Sequence, residues 1–235
     1  MKMSAIPRHV VVVPDGNRRW AKEQNKPSSF GHLEGAKNMD RIVYAALEHE
    51  ISFFTIWLCS VGNITERGAV EVAFLYELFE NYFKKLTKSP ELVEKRIRVN
   101  VIGRWREFFP ESLQTTITSL MDATKEHERH TLTFLMAYSG TDEMLGAITH
   151  IARSGASAEK ITGELLKQNL WTKDLPAVDL VIRTVGEPHW SAGLMMWDVA
   201  EAQLYLTETF WPAFSTEEFG RALRTFAATE RRYGA

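Results

Sequence analysis

Four valines in succession, at positions 10–13, form the first strongly apolar run of the chain. An uninterrupted β-branched run predicts a strand buried on both faces, as parallel sheets require. Comparable short runs recur at 53–58, 98–102, 131–137 and 180–183, with 203–206 as a sixth candidate. Between them apolar residues return every three or four positions, which predicts helices over 33–50, 66–88, 111–128, 141–152 and 216–232. Strand and helix in alternation predict an α/β fold, a largely parallel sheet with helices on both faces. No repeat, low-complexity tract or Gly/Ser-rich or Pro-rich linker divides the chain, so one domain spanning 1–235 is expected.

The 66–88 helix sets Val70, Phe74, Leu78 and Tyr82 on one apolar stripe, adjoined by Leu75, Phe79 and Leu86. Core packing is its plainest reading. Composition agrees with a globular domain: 45% hydrophobic and 25% charged residues in 235 leave room for a sizeable core. A net charge of -2 with scattered Lys and Arg argues against nucleic acid as a main partner. No apolar run approaches the roughly 18 residues of a membrane span, and Met1 to Arg8 lack a secretory apolar core, so a cytoplasmic location is expected. The single Cys59 cannot form an internal disulfide and reads as core packing.

Candidate chemistry begins where the valine strand stops. Pro14, Asp15, Gly16, Asn17, Arg18, Arg19 and Trp20 place a carboxylate, a flexible turn and two guanidinium groups at a strand-to-helix junction. Such a junction suits a diphosphate with a divalent ion. The ordinary reading of Asp-Gly-Asn alone is a turn in which Asp caps the helix and the arginines are solvated. Asp15, Ser60, Ala137-Tyr138 and Arg183 each follow a predicted strand's carboxyl end, where open parallel sheets bind ligands, so four distant segments can line one cleft. Arg183 ends a buried strand and needs an anion there, either a ligand phosphate or an ion pair with Asp179 or Glu187.

Longer motifs narrow the chemistry. Asp15-Gly16-Asn17-x-Arg19-Trp20-Ala21, Phe30-Gly31-His32-x-x-Gly35, Asp179 to Arg183-Thr184, Glu187 with Ser191, Trp211-Pro212-x-Phe214 and Arg232-Tyr233-Gly234 span nearly the whole chain. Together they resemble the cis-prenyltransferases, the undecaprenyl diphosphate synthase family. The resemblance implies a Mg²⁺-dependent enzyme joining isoprenoid diphosphates, with Asp15 as metal ligand. It assigns Gly16, Asn17, Arg18, Arg19 and Trp20 to the first substrate and His32 to its leaving group. It makes Asn63 catalytic together with Asp15 and His32, assigns Ser60 to substrate binding, and places Arg183, Glu187, His189 and Ser191 at the acceptor diphosphate. It also implies a homodimer whose Arg232 and Gly234 reach a neighbouring site, and a tunnel walled by the 66–88 helix and the one before it.

The departures are as informative. Where chain-elongating members read Ser-x-Glu-Asn-Trp-x-Arg-Pro, this chain reads Ser60-Val61-Gly62-Asn63-Ile64-Thr65-Glu66-Arg67; Ser and Asn are kept, while the Glu, Trp and aligned Arg are replaced. Ser28 stands at an arginine position, and His189-Trp190-Ser191 replaces Arg-x-Ser. Gln203 falls at an acidic, metal-holding position if one residue is inserted between Ser191 and Trp197. Pro14 before the Asp, with Ser-Val-x-Asn, resembles the head-to-middle members, which make branched lavandulyl-type diphosphates from a dimethylallyl diphosphate acceptor. The leading expectation is therefore head-to-middle condensation of dimethylallyl diphosphate with a C5 or C10 (geranyl) donor. The alternatives are linear elongation with isopentenyl diphosphate and a noncatalytic isoprenoid-binding subunit. A generic nucleotide-binding protein lacks support, because neither Gly-x-Gly-x-x-Gly nor a P-loop occurs.

Overall fold

The computed structural model describes residues 6–186 and 189–229. Among them, β1 (His9–Val13), β2 (Phe53–Trp57), β3 (Ile97–Ile102), β4 (His130–Leu135), β5 (Leu180–Thr184) and β6 (Gln203–Thr207) form one sheet. Every neighbouring pair is parallel, in the order β3-β4-β2-β1-β5-β6. The helices are α1 (Asn17–Glu23), α2 (Ser28–Glu48), α3 (Val61–Thr65), α4 (Ala69–Thr87), α5 (Glu91–Glu94), α6 (Trp105–Phe108), α7 (Glu111–Thr124), α8 (Gly140–Arg153), α9 (Gly163–Asn169) and α10 (Thr216–Ala228).

The central position of β1 explains its valines. Val10 and Val12 join the core formed with α2, α4, α7 and α10, while Val11 and Val13 join a second core with Leu175, Val178, Leu194 and Val199. Alternating side chains are thus buried on both faces. After β1 the chain moves to β2 on one side, whereas β5 and β6 lie on the other. The crevice beyond the carboxyl ends of β1 and β5 is therefore a topological switch point, where ligands bind in such sheets.

Several boundaries differ from expectation. Helix α2 begins at Ser28, so Phe30, Gly31 and His32 lie inside it rather than before it. The helix expected over 66–88 begins only at Ala69, as α4, with Gly68 before its first turn, and a separate short helix, α3, capped by Ser60, precedes it over Val61–Thr65. Val70 is 88% exposed, and the buried stripe of α4 is instead Leu75, Phe79, Tyr82 and Phe83. Phe74 and Leu78 stay half-buried. The short helices α5, α6 and α9 carry too few turns to show a period.

Helices α1 and α2 cross at the glycines of the second motif. A Cβ on Gly31 would lie 2.0 Å from the Asn17 carbonyl oxygen, and one on Gly35 2.4 Å from Asn17 Oδ1. Trp20 stacks on Phe30 across the same crossing, with ring centroids 5.7 Å apart. Cys59 is buried, its Sγ accepts the Ala137 N–H at 3.2 Å, and burial pushes its thiol up to about 12. It is a core residue at the cavity floor.

Gly31→Ala tests the crossing, because the blocking atom belongs to backbone and cannot rotate away. The variant is expected to lose about 1–3 kcal/mol in urea unfolding, the usual cost of overpacking. Unchanged stability would show that α1 and α2 can separate freely.

Candidate active site

A cavity of about 600 Å³ opens over the carboxyl ends of β1, β2 and β5, between α1, α2 and α4. Its mouth carries Asp15, Asn17, Arg18, Arg19, His32, Arg67, Arg183 and Ser191, and its interior Met39, Leu75, Leu78, Phe79 and Tyr82. A charged mouth over an apolar interior suits a ligand with an anionic head and a hydrocarbon tail.

Asp15 is fixed through its backbone before its carboxylate does anything. Its N–H donates to Thr184 Oγ1 at 2.8 Å, and its carbonyl accepts from Thr184 Oγ1 at 2.7 Å and Trp211 N at 2.9 Å. The next residue, Gly16, has φ of 100°, and a Cβ there would meet Phe210 and Val185 at 2.6 Å. Asp15 Oδ1 accepts the Gly16 N–H at 2.8 Å and lies 3.7 Å from Arg19 Nη2. No side chain caps α1, so Asp15 is not the helix cap of the ordinary reading.

The other carboxylate oxygen corrects the expectation for Arg183. Among the described residues its ion-pair partner is Asp15, with Nη2 3.3 Å from Oδ2, and not Asp179. Asp179 instead accepts the N–H groups of Arg8 and His9 at 2.7 and 3.1 Å, because it precedes β5 at the opposite end of the sheet. Arg183 Nη1 donates to the His189 carbonyl at 2.5 Å and to Ser191 Oγ at 3.1 Å; that hydroxyl and His189 Nε2 are 2.9 Å apart. A buried guanidinium thus links β1, β5 and the segment after β5.

On the α1–α2 side, His32 Nε2 lies 3.0 Å from Glu71 Oε1. The same oxygen accepts from Arg67 Nη1 at 3.2 Å, and Glu71 Oε2 is 3.7 Å from Arg18 Nη1. Burial lowers His32 below its usual pKa against the opposing bond to Glu71, so the ring is neutral near pH 7. Burial works against Glu71 ionisation, but the His32 bond and the Arg67 and Arg18 charges outweigh it and hold the carboxylate below its ordinary range.

Ser60 and Asn63 form a capping box on α3: Ser60 Oγ accepts the Asn63 N–H, and Asn63 Oδ1 accepts the Ser60 N–H, both at 3.1 Å. Both also line the cavity. With Oδ1 engaged, the amide NH₂ is what Asn63 can offer a ligand.

Other expectations shift. Trp20, through its stack on Phe30, braces the helix crossing and is not among the cavity residues. Gln203 opens β6 opposite Leu180, three registers before the Arg183 to Leu206 pair, and its N–H donates to the Asp179 carbonyl. At about 3.3 Å per residue, it lies roughly 10 Å along the sheet from the end carrying Arg183, so within one chain it cannot share a metal with Asp15. Glu187, Arg232 and Gly234 lie outside the described residues. Arg67, one position beyond the Glu66 at which the arginine is counted as replaced, lines the cavity. Its i,i+4 relation to Glu71 was the available signal.

Comparison with known proteins places this geometry. The family described as "Putative undecaprenyl diphosphate synthase" matches residues 13–234. The chain belongs to that family. Among its relatives, a tritrans,polycis-undecaprenyl-diphosphate synthase (geranylgeranyl-diphosphate specific) of Pyrococcus horikoshii is 35% identical, over 100% of this chain and 89% of that protein. An isoprenyl transferase of Thermotoga maritima is also 35% identical, over 97% of each. The crystal structure of lavandulyl diphosphate synthase from Lavandula x intermedia in complex with dimethylallyl diphosphate superposes with a TM-score of 0.90 at 27% identity, over 98% of this chain and 99% of that one. This cis-prenyltransferase is an enzyme that transfers prenyl groups, and its family acts on isoprenoid diphosphates.

Asp15→Asn separates charge from structure, since the amide can still accept the Gly16 N–H. Prenyl transfer from a radiolabelled substrate is expected to fall by about 10³-fold, given what preorganised charge is worth in such sites, and the melting temperature to drop because Arg183 loses its anion, with the variant still folded at the assay temperature by circular dichroism. Near-normal turnover would remove Asp15 from the reaction.

Proposed function

We propose that this prenyltransferase joins two short isoprenoid diphosphates head to middle, with dimethylallyl diphosphate as acceptor and a C5 or C10 allylic diphosphate as donor. The product is a branched, lavandulyl-type diphosphate. The observation that carries this reading is the close superposition, over almost the entire chain, on a lavandulyl diphosphate synthase bound to dimethylallyl diphosphate. The acceptor side agrees: Arg183 is flanked by His189 and Ser191, without the second arginine of chain-elongating members.

The two clusters divide the work. Arg18, Arg19, Arg67 and His32 face the donor diphosphate, and Arg183, Ser191 and His189 the acceptor diphosphate. The donor's C1–O bond breaks and its electron pair leaves with the diphosphate, whose charge the arginines stabilise. The acceptor's C2–C3 π pair forms the new bond from C2 to the donor's C1, leaving a tertiary cation at C3. A methyl group on C3 loses a proton to an oxygen of the departed diphosphate, and the branched alkene results. Asn63 is an amide and not a base; its NH₂ can hold a phosphate oxygen in place.

Asp15 fits a magnesium ion, which takes one or two carboxylates and completes its shell with phosphate oxygens and water. Bound there it would supply further charge neutralisation to the diphosphates. Among the described residues no group of three or more His, Cys, Asp or Glu side chains could hold a metal alone, consistent with an ion shared with substrate.

A second copy of the chain completes the reading. Edge strand β6 exposes Leu204 and Leu206 at 52% and 41%, beside a small apolar recess reaching Trp57 and Trp190. An apolar edge strand calls for cover. A homodimer through this edge would supply it.

Incubation with Mg²⁺ and pairs of dimethylallyl, geranyl and isopentenyl diphosphates, with the products identified by NMR, decides the regiochemistry. Branched product without isopentenyl diphosphate is expected. A linear Z-prenyl diphosphate that strictly requires isopentenyl diphosphate would overturn the head-to-middle reading.

A further inference from the structure

Glu71 belongs to none of the motifs read from the sequence and is not among the residues lining the cavity. Its carboxylate nevertheless joins three elements: Arg67 before α4, His32 on α2 and Arg18 on α1, at 3.2, 3.0 and 3.7 Å. All three partners line the cavity. Glu71 and Arg67 are each only 22% exposed, and His32 7%, so this carboxylate forms part of the wall's support.

We propose that Glu71 is the positioning residue of the donor-diphosphate site, fixing Arg18, Arg67 and His32 as one preformed anion cradle. The proposal rests on the reading that this end of the cavity takes the donor. Two guanidinium groups in one wall repel each other and, if unrestrained, spread over many rotamers. A carboxylate between them removes the repulsion and prepays that entropy, as partners behind metal ligands do. It must stand behind the donors, because a carboxylate facing the ligand would repel a diphosphate. The two arginines outweigh it by one positive charge, so the attraction for an anion survives. Neither Arg183 nor Ser191 contacts Glu71, so its effect falls on one substrate.

The test uses the full chain with Mg²⁺, geranyl diphosphate as donor, and as acceptor whichever of dimethylallyl and isopentenyl diphosphate the wild type consumes. An error in regiochemistry then leaves the test intact. Glu71→Gln is expected to raise the donor KM on the order of 10- to 100-fold. Binding of the unreactive geranyl thiolodiphosphate, measured by calorimetry, should weaken equally. The acceptor KM should stay within about twofold, because KM effects specific to one substrate report lost binding to that substrate. Glu71→Asp should recover part of the loss, and Arg67→Gln combined with Glu71→Gln should be little worse than Arg67→Gln alone, since the two act as a unit. Equal effects on both KM values, no effect on either, or strict additivity with Arg67→Gln would overturn the proposal. Failure of the wild type to bind geranyl thiolodiphosphate would instead remove the donor-site reading, and the proposal with it.

Discussion

The ion pair between Asp15 and Arg183 is the constraint on which the rest of the site depends. Parallel pairing of β1 with β5 sets Val13 opposite Arg183, so the two charges meet just past the sheet's end. A buried guanidinium without an anion would be destabilising by several kcal/mol, and the pair removes that cost. It also leaves each partner with unused capacity: Asp15 is half-exposed, and Arg183 reaches on to Ser191 and the His189 carbonyl. The free protein therefore holds two opposite charges at the switch point of the sheet, which on the proposed reading face a cation on one side and a phosphate on the other. This arrangement is local in space but spans 168 residues of sequence, which is why only the fold creates it.

What the sequence made legible follows from range. The central strands β1, β2, β4 and β5 were readable because burial on both faces leaves continuous apolar runs, and Asp15, Arg183 and the cleft followed from the strand-end rule. Arg183's pairing with Asp15 was not readable, because Asp15 is near only through strand pairing. Gln203 was misplaced by reading position within a motif rather than position along a strand: it opens β6, whereas the site lies where β5 closes. Arg67 and Glu71 escaped because the helix pattern was drawn through Glu66, hiding the break between α3 and α4 that turns Arg67 toward the cavity. Gly31 and Gly35 were read as motif letters, and their physical reason, the closeness of Asn17, required the helix crossing.

On the proposed reading, the donor and acceptor halves of the site are built differently. On the donor side, Arg18 and His32 stand on helices locked at the glycine crossing, and Glu71 ties them to α4. The acceptor side, beyond Arg183, hangs on irregular backbone: Val185, Ala192 and Met195 have φ of 78°, 45° and 41°. Positive φ is strained for a residue with a side chain, most of all for β-branched valine, and persists only where surroundings enforce it. At Met195 a buried polar chain enforces it. Tyr138 accepts the Met195 N–H and bonds to Glu143, Glu143 accepts from Thr172, and Thr172 bonds to Asp198.

This asymmetry bears on how one fold can give linear and branched products. Ionisation of the donor and capture of the final proton by diphosphate are common to both outcomes, so the helical half of the site need not change between them. What differs is which alkene carbon of the acceptor faces the donor's C1. In a near-attack geometry about 1 Å decides on the order of a hundredfold in rate. The residues proposed to hold the acceptor diphosphate, His189 and Ser191, sit on the strained segment whose path is set by loop conformation and not by strand geometry. A substitution or single insertion there shifts the acceptor while Asp15, Arg183 and the donor cradle stay where the sheet and the helix crossing put them. On the proposed reading, the change from Arg-x-Ser to His189-Trp190-Ser191 therefore lies in the part of the site where a small displacement can redirect bond formation without rebuilding the catalytic centre.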